Sequence, residues 1–405
     1  MRRLLLVTHR PIDQPGGGSA RWRSLARLLP GEGWTVEVVA APVRAGGVEF
    51  ATSAEDLRRA RLRARVMGRL AGAADPVARL LGARPDAFVP STAWAVRGGA
   101  AVRRAIRAGS YDAVLATGPP IAGPLAARLG AAGPPLAVEL RDLWAGSPAF
   151  DRGGPLLPAV EGWVLRRAGA VVAVTPEAAD DLSARHPSLA GRVVTIPNGF
   201  DPALLDRRAP PPARAGRPLS LIHSGTLSVD RPLAPLLRVL ERAQFRDAVR
   251  LVLHGHLAPR IAGEVESAGV PVEVVPPSEW DEAIRRVAAA DAALVTQASG
   301  AGDATAVAAK AYEYLALGRP VLAITHGGAT EGLLRRLGED RYLARLDDEE
   351  SIARALGELL DGSPYEPIDP VRLEPYSRRR IATDMARLLD RLAAGEPPGR
   401  AGAAP

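Results

Sequence analysis

Short aliphatic runs alternate along this chain with longer Ala/Leu/Arg stretches whose apolar positions recur at helical spacing. Runs that are too short for helices and lack polar alternation suit strands buried on both faces, as in parallel sheets flanked by helices. The pattern predicts strands at Leu4–Thr8, Val36–Ala40, Ala113–Thr117, Leu136–Leu140, Ala170–Val174 and Val193–Ile196. Helices are expected between them at Ser19–Leu29, Ile121–Leu129, Leu156–Arg167 and Glu177–Arg185. Thr175 before Pro176 reads as an N-cap followed by the first helical position.

The stretch RRAPPPARAGR, Arg207–Arg217, breaks this rhythm with crowded prolines and no apolar period, and reads as a stiff linker. The alternation then restarts. Strands are predicted at Leu219–His223, Val249–Leu253, Val272–Val275, Ala292–Thr296 and Pro320–Ile324, and helices at Leu233–Arg242, Glu279–Ala289, Ala306–Leu317 and Ser351–Leu360. The expected fold class is α/β, with two Rossmann-like, doubly wound domains facing across a cleft. In such sheets ligands bind at the carboxyl ends of the strands. The expected division is 1–202, a linker at 203–218, 219–374, a final helix within 375–394 and a disordered tail at 395–405. Residues 53–108 read as an irregular insertion in the first domain. Arg58, Arg59, Arg61, Arg63, Arg65 and Arg69 spread round a helical wheel with no clean apolar stripe. That suits either a solvated face or a surface meeting a phosphorylated or membrane-borne acceptor.

Composition narrows the classes of function. Hydrophobic residues make up 47% of 405, enough for more than one core, and there are no cysteines, which removes disulfides, thiol nucleophiles and cysteine-ligated metals. The apolar run Leu4–Val7 is too short for a secretory signal, so a cytoplasmic location is the expectation. The net charge of +7 fits an Arg-rich composition as readily as an anionic partner, and nothing interleaves aromatic with basic residues as nucleic-acid binding would. The chain has a single lysine, Lys310, and every other basic side chain is arginine.

Five places could carry chemistry. Gly16-Gly17-Gly18 opens a helix after the first strand, where a bare backbone lets an anion approach, although a tight turn explains the glycines equally well. Glu139-Leu140-Arg141-Asp142-Leu143-Trp144 ends a buried strand with charges that need either partners or a function. Asn198-Gly199-Phe200-Asp201 is either a plain turn or a contact at the domain junction. Ser224-Gly225-Thr226-Leu227, with Arg231 beyond it, is either a βα turn or a phosphate cradle. In Lys310-Ala311-Tyr312-Glu313-Tyr314-Leu315, Lys310 and Glu313 lie about one turn apart on one helix face. An ammonium and a carboxylate near a helix start suit a phosphate and a ribose diol.

The stretch KAYEYLALGRPVLA resembles the donor-site helix of GT-B-fold glycosyltransferases of the family 4 type. The glycine-rich loop, Thr117-Gly118-Pro119-Pro120, RDLW, VTPE, IPNGFD and SGTL follow in the order that family uses. The chain looks most like the subgroup with an Arg-Asp-x-Trp strand end, many of which assemble polysaccharides or glycolipids. The resemblance implies transfer of a hexose-type sugar from a nucleoside-diphosphate sugar, with retention and without a metal or other cofactor. The acceptor would be a sugar, a lipid-linked molecule or a small molecule, in polysaccharide, glycolipid or secondary-metabolite assembly. A peripheral position at the inner face of the plasma membrane is also implied. Glu313 would hold the donor ribose, and Lys310 and Arg231 the diphosphate, with Gly225 and Thr226 along it. Asp142 would sit over the donor sugar, and Gly17, Gly18, Arg141 and Asn198 would line the cleft. The chain departs from the pattern at Thr305, where the family often has a hexose-contacting glutamate, and at Pro232-Leu233, near where it often has a lysine. A nucleotide-sugar epimerase shares the architecture but needs carboxylates around the sugar, which ASGAGDAT lacks. A non-catalytic subunit of this fold, binding nucleotide or a partner, is the alternative that Thr305 would suit.

Overall fold

The structure is a computed structural model, and it describes residues 1–13, 17–41, 85–145, 156–212, 216–228, 231–297, 304–361 and 364–399. The chain divides into two compact units, Met1–Pro197 with Ile381–Ala404, and Asn198–Arg380.

The first unit holds a six-stranded parallel sheet of β1 (Arg2–Thr8), β2 (Trp34–Val39), β3 (Ala113–Gly118), β4 (Leu136–Leu140), β5 (Ala170–Ala173) and β6 (Val193–Thr195), in the order β2-β1-β3-β4-β5-β6. Successive side chains point to opposite faces, and both faces are covered, which is why the strands read as unbroken apolar runs. Leu5, Val7, Val114, Ala116, Val138 and Val171 pack against the helices Ala122–Gly130, Leu156–Leu165 and Pro176–Arg185. Leu4, Leu6, Leu115 and Val172 pack on Trp22 and Leu25 and on Ile381, Met385, Leu389 and Leu392 of the last helix, Arg378–Ala393. Thr175 caps its helix as expected, its Oγ1 accepting the Ala178 amide at 3.0 Å.

Two features differ from the sequence reading. Residues 85–108 form a helix, Pro85–Ala108. Its buried stripe of Ala95, Gly98, Gly99 and Val102 is made of small residues, so it left little apolar signal, while Arg97, Arg103, Arg104 and Arg107 are exposed. Arg58, Arg61 and Arg65 lie outside the described residues. The expected linker also carries structure of its own. The 3-10 helix Pro202–Arg207 is capped by Asp201, Arg217 forks onto Asp291 at 2.6 and 2.8 Å, and the buried Arg319 donates to Ala209 O. These bonds fasten the proline-rich stretch to the second unit.

The second unit holds β7 (Leu219–Ser224), β8 (Val249–His254), β9 (Val272–Val275), β10 (Ala292–Thr296), β11 (Val321–Thr325) and β12 (Leu343–Arg345), all parallel, in the order β12-β11-β10-β7-β8-β9. The order reverses between β7 and β10, the kind of crevice where open α/β sheets take ligands. In the first unit it reverses between β1 and β3. The expected class, two Rossmann-like α/β domains, is the one observed. Among the described residues, no helix is long and apolar enough to cross a membrane.

A buried ion pair ties the first sheet to its helix. Glu139 on β4 is fully buried and accepts from Arg21 Nε at 2.9 Å, Trp22 Nε1 at 2.6 Å and Thr117 Oγ1 at 2.7 Å. Burial alone would push this carboxyl up, but Arg21, Arg141 and the hydrogen bonds outweigh it and hold it below the usual carboxylate range. Its contribution to stability is therefore complete at neutral pH and lost on acidification. Replacing Glu139 with Ala takes the carboxylate from the buried Arg21, leaving backbone carbonyls on its charge, and should lower the unfolding free energy by about 3–5 kcal/mol. Urea denaturation at pH 7 measures this, and a loss below about 1 kcal/mol would contradict it.

Candidate functional site

The carboxyl ends of β7 and β10 bring together most of the residues that the sequence suggested for a donor site. β7 ends in His223 and Ser224, and the chain turns through Gly225 with φ +126, a backbone that only glycine takes readily. Gly225 N–H donates to His254 O at 2.7 Å, which fixes the turn. A β-carbon on Gly225 would lie 2.6 Å from Lys310 Nζ, so the missing side chain is the space the ammonium occupies. Thr226 beside it is exposed, and Arg231 farther along the loop is half-buried.

Lys310 stands in the first turn of the helix Ala309–Ala316, whose start has no side-chain cap. Its Nζ is 2.9 Å from His223 Nε2. Burial, then the nearby Arg231, lowers the ammonium to about 8, with Glu313 opposing them. Glu313 is half-buried, and burial raises its carboxyl against the pull of Arg378, Lys310 and a hydrogen bond from Trp280. Behind this face, the buried Tyr314 hydroxyl accepts the Ser224 amide at 2.9 Å, tying the helix to the β7 turn. Thr305 is half-buried just ahead of the helix, beyond residues 298–303, which lie outside the described set together with Asp303. Lys310, Arg231 and the helix start without a side-chain cap place positive potential beside a bare backbone, an arrangement able to receive an anion of two or more charges.

The sequence reading passed over His223, Tyr314, Trp280 and Arg378. His223 was visible only as the end of a strand. Its one sequence signal is a histidine directly before a Ser-Gly turn, in a chain with six histidines.

The other suggested residues belong to the first unit or to the junction. The Arg141 amide donates to Gly118 O at 2.9 Å and its guanidinium to Pro119 O at 2.6 Å, so it braces the turn after β3. Asp142 is half-buried beside it, and its charge acts on that guanidinium. Trp144 is buried against Gly118, and the Trp144 and Ala145 amides each donate to the buried Glu161 at 3.2 Å. Glu161 also takes His186 Nε2 at 2.9 Å and the Arg185 guanidinium. The loop bearing Asp142 is thus anchored from a neighbouring helix. Gly17 and Gly18 begin the helix Gly17–Leu28, and Gly16 lies outside the described residues. Asn198 is half-buried at the start of the second unit, where Phe200 pairs with Tyr376 and Arg378 through backbone hydrogen bonds. Among the described residues, no group of three or more His, Asp or Glu is placed to hold a metal ion.

Residues 16–199 match the glycosyl transferase 4-like domain family. The match lies almost wholly within the first unit, and the chain as a whole shares its fold with GT-B glycosyltransferases. Among solved structures it is similar to an α,α-trehalose-phosphate synthase (UDP-forming) from Burkholderia xenovorans in complex with glucose-6-phosphate. The TM-score is 0.63 at 14% identity, covering 96% of this chain and 100% of the other. It is also similar to a lipopolysaccharide outer core galactosyltransferase, with TM-score 0.61, 10% identity and coverage of 97% and 99%. A glycosyltransferase involved in avilamycin A biosynthesis matches with TM-score 0.56, 16% identity and coverage of 98% and 99%. A search of curated proteins gave no match.

Two outcomes follow from this geometry. Gly225→Ala drives a methyl group into the Lys310 ammonium and should weaken nucleoside-diphosphate binding at least tenfold at pH 7, by calorimetry with UDP, GDP and ADP. Unchanged affinity for whichever nucleotide binds would contradict the geometry. In the wild type, affinity should fall as pH rises through about 8, because only the ammonium attracts the diphosphate. Binding near that pH should take up protons, read from calorimetry in buffers of different ionisation enthalpy. Proton release there would reverse the assigned charge.

Proposed function

We propose that the protein transfers a hexose-type sugar from a nucleoside-diphosphate sugar to an acceptor hydroxyl, with retention of anomeric configuration. The observation that carries this reading is the lone lysine, drawn into the space beside Gly225 at the sheet's switch point. In this reading Lys310 and Arg231 hold the diphosphate, Gly225 and Thr226 lie along it, and Glu313 accepts from the ribose hydroxyls. Asp142 is assigned to the donor sugar. Thr305 takes the place of a hexose-contacting glutamate, and Gly17, Gly18, Arg141 and Asn198 are assigned to the surroundings of the reacting groups.

The chemistry is an exchange at the sugar C1. The bond from C1 to the diphosphate oxygen breaks, the acceptor oxygen bonds to C1, and the acceptor's proton passes to the departing diphosphate. Charge builds on that diphosphate in the transition state, and positioned cations there accelerate the step. Lys310 and Arg231 then replace a metal ion as the electrophile, and no protein base is required. The neighbours' names, a trehalose-phosphate synthase, a lipopolysaccharide transferase and an antibiotic-pathway transferase, support a sugar or sugar-bearing acceptor. We place the protein in polysaccharide, glycolipid or secondary-metabolite assembly, in the cytoplasm, with peripheral membrane contact where the acceptor is lipid-linked.

Lys310→Ala and Glu313→Ala should each lower turnover at least a hundredfold without unfolding the protein, by about 2.7 kcal/mol or more in the barrier. Glu313→Gln should be milder, since an amide oxygen still accepts a ribose hydroxyl. Near-normal turnover in either alanine variant removes the donor-site assignment. EDTA should leave the rate unchanged, and strict dependence on Mn²⁺ or Mg²⁺ would overturn the metal-free mechanism.

A further inference from the structure

We propose that His223 is a positioning residue for Lys310, a neutral imidazole that holds the ammonium by one N–H and leaves the other two for the donor's diphosphate. The proposal rests on the reading of Lys310 as a diphosphate ligand. Its own ground is the geometry on either side of one ring.

His223 is buried, with 2% of its surface exposed, on the last residues of β7. Its Nδ1 is 3.1 Å from the Leu294 carbonyl oxygen on β10. A carbonyl only accepts, so Nδ1 carries the hydrogen and donates it. The lone pair is then on Nε2, and Nε2 is the atom 2.9 Å from Lys310 Nζ. An ammonium has only hydrogens to give, so this contact forms when the ring is neutral. Burial, then the neighbouring Lys310 charge, holds the imidazole well below its ordinary value against the opposing backbone hydrogen bonds of Leu294 and Thr226, so the ring stays neutral at physiological pH. The two strands that meet at the switch point therefore fix the tautomer, and the tautomer fixes the lysine. A buried neutral acceptor stabilises the charged lysine without cancelling its charge, as a carboxylate in the same place would.

Among the described residues, the charged and titratable groups around Lys310 are few. Arg231 approaches from the loop after β7 and lowers the ammonium, and Glu313 on the same helix raises it. Glu313 is itself drawn toward Arg378, opposed by Asp201 and bonded by Trp280. Tyr314 stays neutral, its hydroxyl held by the Ser224 amide, because burial raises it. His223 is the neighbour that contacts Nζ at hydrogen-bond distance.

Because the chain has one lysine, lysine labelled with ¹³C at Cε gives a single resonance that reports Lys310 directly. In the wild type it should titrate near pH 8 and respond to inorganic pyrophosphate, the part shared by every nucleoside diphosphate. His223→Gln places an amide oxygen where Nε2 stands and should keep both the midpoint and the pyrophosphate affinity. His223→Asn reaches only the Nδ1 position, and His223→Phe has no acceptor. Each should lower the midpoint by about one pH unit and weaken pyrophosphate binding at pH 7 by roughly tenfold. If Asn and Phe lower thermal stability but leave the lysine midpoint and affinity as in the wild type, the residue is only structural and the proposal is overturned. Should His223→Phe fail to fold, the Gln and Asn pair makes the same comparison. If pyrophosphate leaves the wild-type resonance unmoved while the Asn variant still shifts its midpoint, the diphosphate assignment fails and the positioning role stands.

Discussion

The second unit is organised around an ammonium that burial makes costly. Lys310 sits where β7 and β10 part, among a glycine turn, an imidazole, an arginine and one carboxylate. Taking a charge from water into such a place is unfavourable unless something offsets it. Glu313 offsets part, but its own burial raises it and it is shared with Arg378 and Trp280. In the proposed reading, an incoming diphosphate supplies further negative charge to this ammonium. The same constraint accounts for the glycine at 225, the neutral histidine at 223 and the tyrosine pinning the helix to the turn.

The first unit resolves a similar burial in the opposite way. Glu139 is surrounded by Arg21, Trp22 and Thr117, and each of its partners is itself engaged, so the cluster has no capacity left for a ligand. Glu161 likewise collects Arg185, His186 and two loop amides. Buried polar networks rigidify a core, and these two hold the sheet, its covering helices and the loop carrying Asp142. The contrast separates the two clusters: its partners hold Glu139 in the charged form, whereas burial and Arg231 lower the Lys310 ammonium.

Much of this architecture was legible in the sequence because parallel strands buried on both faces leave runs such as LLLV and AVLAT that only one arrangement explains. Other parts were not. β12, Leu343–Arg345, is three residues long beside charged neighbours and gives no run to read. The helix Pro85–Ala108 buries alanine and glycine, whose small side chains carry little periodic signal, so it was read as part of an irregular insertion. The Lys310 helix stood out because one lysine among arginines is a compositional anomaly. His223 did not, since its role depends on a carbonyl seventy-one residues away on a neighbouring strand. Spacing along the chain carries no trace of such a contact.

The central claim is that the second unit holds a nucleoside-diphosphate sugar by its diphosphate and cleaves it at the sugar C1. Hydrolysis of nucleotide sugars by the purified wild-type protein, surveyed across UDP-, GDP-, ADP- and dTDP-linked hexoses without acceptor or added metal, tests it most directly. The account predicts slow release of nucleoside diphosphate from one nucleotide class, suppressed competitively by the matching free diphosphate. Binding of none of these nucleotides, or release of the nucleoside monophosphate instead, would contradict it.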